Sequence, residues 1–172
     1  VTTMDLRNGS IIVSVENGQQ YAEQKNIKQQ ISDLVVTTNN DETANTLTIK
    51  GGTTGAKVTL SNVNINASGA AVSVSGNVEL VIADTNTLRS GTDHAGVEKA
   101  DDDGTLTISG SGTLEAYGGQ GGAGIGSGSQ KGCSNIVIES GTITARGGEW
   151  GAGIGSGNVG NRPGVLGGSN IT

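Results

Sequence analysis

The chain has 172 residues, 31 of them glycine, one proline and no phenylalanine, with a formal net charge of −6 and a pI near 4.6. The acidic balance argues against nucleic acid or an anionic membrane as partner, and abundant glycine without proline or a G-X-Y period excludes collagen and proline-rich linkers. No apolar run approaches the ~18 residues of a membrane-spanning helix, and the single cysteine, Cys133, cannot close an intramolecular disulfide.

Residues 1–45 are less regular than the rest and are expected to cap the open end of the body, residues 46–172. Ser10-Ile11-Ile12-Val13-Ser14-Val15 alternates as a strand and stops at Asn17-Gly18, a turn dipeptide. Residues 19–30 are polar and glutamine-rich, with Tyr21 and Ile27 as their only large apolar side chains, and read as a short helix or an irregular edge strand. Leu34-Val35-Val36 follows, and Asn39-Asn40-Asp41 signals another turn. With Val1 first and Met4 its only methionine, the chain reads as a piece of a longer secreted protein.

From Thr46 onward, pairs of β-branched or aliphatic residues recur with polar residues between them. Leu47/Ile49, Val58/Leu60, Val63/Ile65, Val72/Val74 and Val78/Leu80/Ile82 come first; Leu106/Ile108, Leu114/Ala116, Ile136/Ile138 and Ile143/Ala145 come later. Three phrases recur in order, giving three short strands per repeat. Matching the first phrase by likeness gives spacings of 20 residues from Leu60 to Leu80, 28 to Ile108, 30 to Ile138, and 35 from Ile136 to Ile171. A constant rhythm with lengthening turns suits stacked parallel coils better than a propeller, whose blades need four antiparallel strands.

The rhythm is clearest where the chain repeats itself. GGQGGAGIGSG from Gly118 to Gly128 returns as GGEWGAGIGSG from Gly147 to Gly157, each copy following a strand phrase, GTLEAY or GTITAR. Glycine permits positive φ and close backbone approach, so the motif reads first as architecture. A phosphate-binding role would need a strand–loop–helix context, and the calcium-binding nonapeptide repeat would need an aspartate that neither copy supplies.

Four groups of side chains are candidates for chemistry. Tyr117 and Trp150, flanked by Gln120, Arg146 and Glu149, could hold a sugar ring by stacking and hydrogen bonds; the plainer reading is that they cover a glycine-rich core. Asp101, Asp102 and Asp103, with Asp84, Asp93 and Glu98 nearby in sequence, could hold calcium; the plainer reading is a solvated turn. His94 is the only histidine, and paired carboxylates beside it could do acid–base work, but no arginine stands near the aspartates as a lyase base. Thr46/Thr48, Thr105/Thr107 and Thr142/Thr144 could form a regular threonine face that orders water, although threonine also simply favours strands.

The run VTLSNVNINASGAAVSVSGNVELVIADTNTLRSG, then GTLTISGSGTLEA and the two GAGIGSG copies, resembles the bacterial carbohydrate-binding-domain β-helix proteins. The resemblance spans residues 46–172, and Asp5-Leu6-Arg7-Asn8-Gly9-Ser10-Ile11 is similar to the family's opening strand. It implies an all-β fold, a right-handed parallel β-helix of pectate-lyase-like architecture, with polysaccharide binding and often calcium. The expectation is therefore an extracellular or cell-surface, non-enzymatic β-helix that binds polysaccharide or serves as an adhesin, using Tyr117, Arg146, Glu149 and Trp150, with Asp101 to Asp103 as the calcium candidates. One alternative is a structural module of a surface fibre that associates head to tail; another is a calcium-dependent polysaccharide lyase or hydrolase. Cys133 is expected to be a small core hydrophobe.

Overall fold

The computed structural model describes residues 1–100, 102–160 and 169–172. The chain begins with β1 (Thr2–Asp5), a 3-10 turn at Leu6–Asn8, β2 (Ile11–Glu16), β3 (Gln19–Gln24) and β4 (Ile27–Gln30). β5 (Leu34–Thr37) and β6 (Leu47–Lys50) follow. Each later coil carries three strands. They are β7 (Ala56–Ser61), β8 (Asn64–Asn66) and β9 (Val72–Ser75), then β10 (Val78–Ala83), β11 (Thr85–Arg89) and β12 (Val97–Lys99). β13 (Leu106–Gly110), β14 (Thr113–Tyr117) and β15 (Ile125–Gly126) come next, then β16 (Ser134–Ile138), β17 (Thr142–Arg146) and β18 (Ile154–Gly155), with β19 (Ser169–Ile171) after them.

These strands build three sheets that run along one axis, the expected parallel β-solenoid. The first face is β1-β5-β7-β10-β13-β16-β19, the second β8-β11-β14-β17, and the third β2-β6-β9-β12-β15-β18, extended past β2 by β3 and β4. Every pairing between coils is parallel, and only β2-β3-β4 is antiparallel.

The register confirms three of the four predicted spacings, through Leu80↔Ile108, Ile108↔Ile138 and Ile136↔Ile171. The fourth is corrected: Leu80 pairs with Val58, a spacing of 22, and Leu60 pairs with Ile82. A strand slipped by two keeps the same side chains inward, so the alternating pattern alone is blind to this shift. The turns decide it, since Ala56 N–H donates to Asn77 O at 3.0 Å and Asn77 N–H to Gly52 O at 2.8 Å.

Inward positions stack into continuous columns. Leu34, Val58, Leu80 and Ile108 form one on the first face, and Leu47, Val72, Val97 and Ile125 another on the third; all are at most 1% exposed. Each fully buried aliphatic side chain contributes about 1.5–3 kcal/mol. The corner between the first and second faces is set by Asn40 (φ 66°), Asn62 (φ 56°) and Asp84 (φ 52°). Their side chains form a ladder, Asn40 Nδ2 to Asn62 Oδ1 at 3.2 Å and Asn62 Nδ2 to Asp84 Oδ2 at 3.3 Å. Beside it Asn86 is fully buried yet satisfied, accepting from Val63 N–H and donating to Ala83 O and Thr113 O.

Of the two readings of the glutamine-rich segment the edge strand holds, with β4 at the edge of its sheet, but it is regular and not irregular. It forms a regular hairpin on β2, with left-handed backbone at Asn17 and Gly18 (φ 50° and 74°) and again at Lys25 and Asn26 (φ 52° and 62°). Two adjacent positive φ values match the twist of paired strands. Its carboxamides bond backbone groups of neighbouring strands and turns. Gln24 Nε2 donates to Asp5 O and Gly9 O, both at 2.7 Å, while Gln20 accepts from Lys57 N–H at 2.8 Å and donates to Lys57 O at 3.1 Å.

The repeated glycines are a packing requirement. A Cβ on Gly119 would lie 1.9 Å from Gly91 O, one on Gly122 1.9 Å from His94 O, and one on Gly151 1.9 Å from Gly122 O. Backbone of one coil rests on backbone of the next, leaving no room for even a methyl group. We therefore expect Gly122→Ala to destabilise the protein by about 3 kcal/mol or more, because main chain, not a flexible side chain, must move. Gly69→Ala, with nothing within 4 Å of the added Cβ, should be neutral or stabilising by about 0.5 kcal/mol. Urea denaturation of the two variants beside the parent chain measures both.

Candidate functional site

At the corner joining the second face to the third, three coils stack backbone on backbone. Arg89↔Tyr117↔Arg146 ends one strand column, and Val97↔Ile125↔Ile154 starts the other. Between them Gly119 N–H donates to His94 O, Gly96 N–H to Ala123 O, and Gly124 N–H to Ala152 O, at 2.9–3.1 Å. The two glycine copies thus stack on a third, Ser90-Gly91-Thr92-Asp93-His94-Ala95-Gly96-Val97, whose legible part in the sequence is the AGV phrase.

In this stack Asp93 (φ 68°), Gly121 (φ 79°) and Trp150 (φ 67°) occupy one column, all in the left-handed region. Glycine adopts that conformation freely, and aspartate tolerates it; for a bulky residue it costs of order 1–3 kcal/mol. Trp150 is nonetheless 66% exposed, so burial does not offset the cost.

The predicted sugar-contacting residues come together on two successive coils of this corner. Tyr117 and Arg146 are direct register partners on the outer side of the second face. Arg89, which the sequence reading passed over, is Tyr117's partner on the other side, with its guanidinium carbon 4.8 Å from the ring centroid. Tyr117 Oη donates to Glu115 Oε2 at 3.2 Å. In the loop, Gln120 Nε2 donates to Glu149 Oε2 at 3.0 Å, immediately before Trp150. Only the strand register could have revealed Arg89, since it lies 28 residues before Tyr117 in an unremarkable phrase.

The acidic residues that cluster in sequence are dispersed by the fold. Asp84 belongs to the corner between the first and second faces, where it also accepts from Ser61 Oγ at 2.7 Å. Glu98 accepts from Ala95 N–H at 2.9 Å and lies 3.0 Å from His94 Nδ1. Asp102 sits at the corner from the third face to the first; Asp103 is exposed there, and Asp101 lies outside the described residues. The Asp102 carboxylate accepts from Gly76 N–H at 2.8 Å and Gly104 N–H at 3.0 Å, with Lys99 Nζ at 3.3 Å. Lys99 itself points inward, 1% exposed, and also donates to Ala100 O at 2.9 Å. Burial raises the Asp102 pKa, but the two backbone donors and the ammonium outweigh it and hold the carboxyl below its ordinary range. Among the described residues no three His, Cys, Asp or Glu side chains gather as a metal-binding group.

The threonine pairs do not make one face. Thr48 lies on the third sheet, Thr107 on the first and Thr144 on the second, so a single water-ordering array does not form. Cys133 is buried, 2% exposed.

Residues 106–129 and 136–158 match the family model described as Beta helix repeat. These two segments, under a third of the chain, are the coils that carry the GAGIGSG copies, and the match supports the parallel β-helix seen in the fold. No curated protein and no solved structure matched the chain.

The anchoring of Asp102 has a pH signature. Its folded pKa lies below the unfolded value of about 3.9, so its contribution to stability is present above that pH and is lost as pH falls through the folded value. Asp102→Ala should cost about 2–4 kcal/mol at neutral pH, since it strands a buried ammonium. The gap between variant and parent should close in acid, as thermal melts from pH 7 to pH 2 would show.

Proposed function

We propose that this chain is a non-catalytic, extracellular β-helix module that binds polysaccharide at the corner carrying Tyr117, Arg146, Glu149 and Trp150. The observation behind this reading is Trp150. A solvent-exposed indole held in left-handed backbone, where the preceding coil uses glycine, costs the fold stability and returns no core packing. Retention of such a residue is accounted for by a partner that covers it. Sugar rings suit that partner, because their C–H faces stack on indole while their hydroxyls meet neighbouring polar groups. Those groups are ready here: the Gln120–Glu149 pair and the Arg89–Tyr117–Arg146 column, rigidly spaced by the strands. The resemblance of the repeats to carbohydrate-binding β-helices points the same way.

Two substitutions at one position test this. Trp150→Gly should abolish retardation in polysaccharide affinity gels and raise stability by about 1 kcal/mol, because glycine relieves the positive φ. Trp150→Ala should also abolish binding but leave the strain in place. As the only tryptophan, Trp150 should also report binding by its own fluorescence in the parent chain. Undiminished retardation of both variants would remove this corner from the site.

A further inference from the structure

The two aromatic rings at the Tyr117–Trp150 corner are presented in different ways. Trp150 is 66% exposed, and no hydrogen bond, ion pair or cation–π contact holds its indole among the described residues. Tyr117 is half-buried and held twice. Its hydroxyl donates to Glu115 Oε2 at 3.2 Å, and the guanidinium carbon of Arg89 lies over its ring, 4.8 Å from the centroid. A sugar ring stacks by lying flat on an open aromatic face. Arg89 takes one face of Tyr117, and the other is turned toward the rest of the sheet, where Arg146 is the next residue in the column.

Arg89 is the group left open. Its side chain is exposed, and its guanidinium makes no hydrogen bond or ion pair among the described residues, so its N–H donors are available to acceptor oxygens. An arginine that is free to sample its rotamers loses that freedom when it binds. Stacked on Tyr117, Arg89 has lost part of it beforehand, which lowers the cost of the contact. Glu115 adds to this in two ways. It fixes the tip of the Tyr117 ring, and by accepting from the phenol it enriches the ring in electron density, which strengthens its pull on the cation.

We infer that Tyr117 is a positioning residue at this corner and not a stacking platform, an inference that rests on the polysaccharide reading of the site. Glu115 anchors the Tyr117 ring, the ring holds Arg89, and Arg89 donates to oxygens of the ligand. Trp150 alone then carries the stacked sugar ring. Two aromatics in the sequence suggest two platforms; the register, which sets Arg89 beside Tyr117, leaves one.

The test is a double-mutant cycle in affinity gels cast with hydroxyethyl cellulose, xylan, galactomannan or pectin, read in each gel that retards the parent chain. Arg89→Gln and Tyr117→Leu should each weaken binding, Tyr117→Leu by about two- to fivefold, the size of an exposed cation–π contact. In the Arg89→Gln background, Tyr117→Leu should cost nothing further. Tyr117→Phe, which keeps the ring, should recover most of what Tyr117→Leu loses. Without any ligand, the Nε–H resonance of Arg89 in ¹⁵N-labelled protein should show a ring-current shift that Tyr117→Leu removes and Tyr117→Phe keeps. Circular dichroism confirms that the variants fold. Losses that add in the double variant would mean that Tyr117 touches the ligand itself, and would overturn the inference while leaving the Trp150 reading intact. Undiminished binding by Arg89→Gln, or an Arg89 resonance indifferent to Tyr117→Leu, would do the same. Retardation of the parent by none of the gels would overturn both.

Discussion

The molecule depends on main chain resting directly on main chain, coil after coil, at the spacing of paired strands, about 4.8 Å. At the strands this is ordinary parallel pairing. At the corners it is more demanding, because the turning backbone must stack as well. Gly91, Gly119 and Gly148 illustrate the demand: a Cβ on either of the later two would fall about 2 Å from a carbonyl oxygen of the coil before. This is why the described coils are rich in glycine without being a linker. Each such glycine records a contact, and the contact in turn fixes the register that lets Val, Ile and Leu form unbroken columns inside.

Beside the first strands, backbone groups are satisfied by side chains. β2 is paired along its outer edge by β3, and backbone groups beside it, at Asp5 and Gly9, lie outside that pairing. The hairpin answers with carboxamides, which carry the same donor and acceptor as a peptide group on a flexible stem. Gln24 covers the carbonyls of Asp5 and Gly9, and Gln20 pairs with Lys57 as a short strand would. Outward, β4 is exposed throughout and carries Lys28, whose charge discourages edge-to-edge association.

The parts of this architecture that were legible in the sequence are those with a period. Alternation and the GAGIGSG copies carried the solenoid, its three strands per coil and most coil spacings. Side-chain period is blind to a slip of two residues, which is how Leu60 was matched to Leu80 when the turn hydrogen bonds of Asn77 place Val58 there. The segment 19–30 misled because its job is done by polar side chains, so it shows little apolar alternation. The candidate site was legible where it follows the repeat: Tyr117 and Arg146, 29 residues apart, are register partners, and Glu149 and Trp150 lie in the glycine loop that follows Arg146. Arg89 was not, nor the separation of the aspartates onto different corners, because proximity in a solenoid follows register and not sequence distance.

That geometry also separates positions the fold dictates from positions it leaves open. In the corner stack, Gly91, Gly119 and Gly148 face neighbouring carbonyls and admit no substituent. The Asp93–Gly121–Trp150 column asks for positive φ at all three positions; at Gly121 an added Cβ would lie 3.1 Å from Asp93 Oδ1 and 3.2 Å from Ser129, whereas Trp150 opens to solvent. The backbone cost of that conformation grows from glycine to aspartate to tryptophan. The most costly of the three residues thus occupies a position where the core gains nothing from it. Beside it, the strand ladder delivers Arg146 and Tyr117 at a fixed spacing that no loop could hold as rigidly. At Trp150, then, the side chain is set apart from the stacking that holds the coils, and its replacement leaves the coils beneath undisturbed.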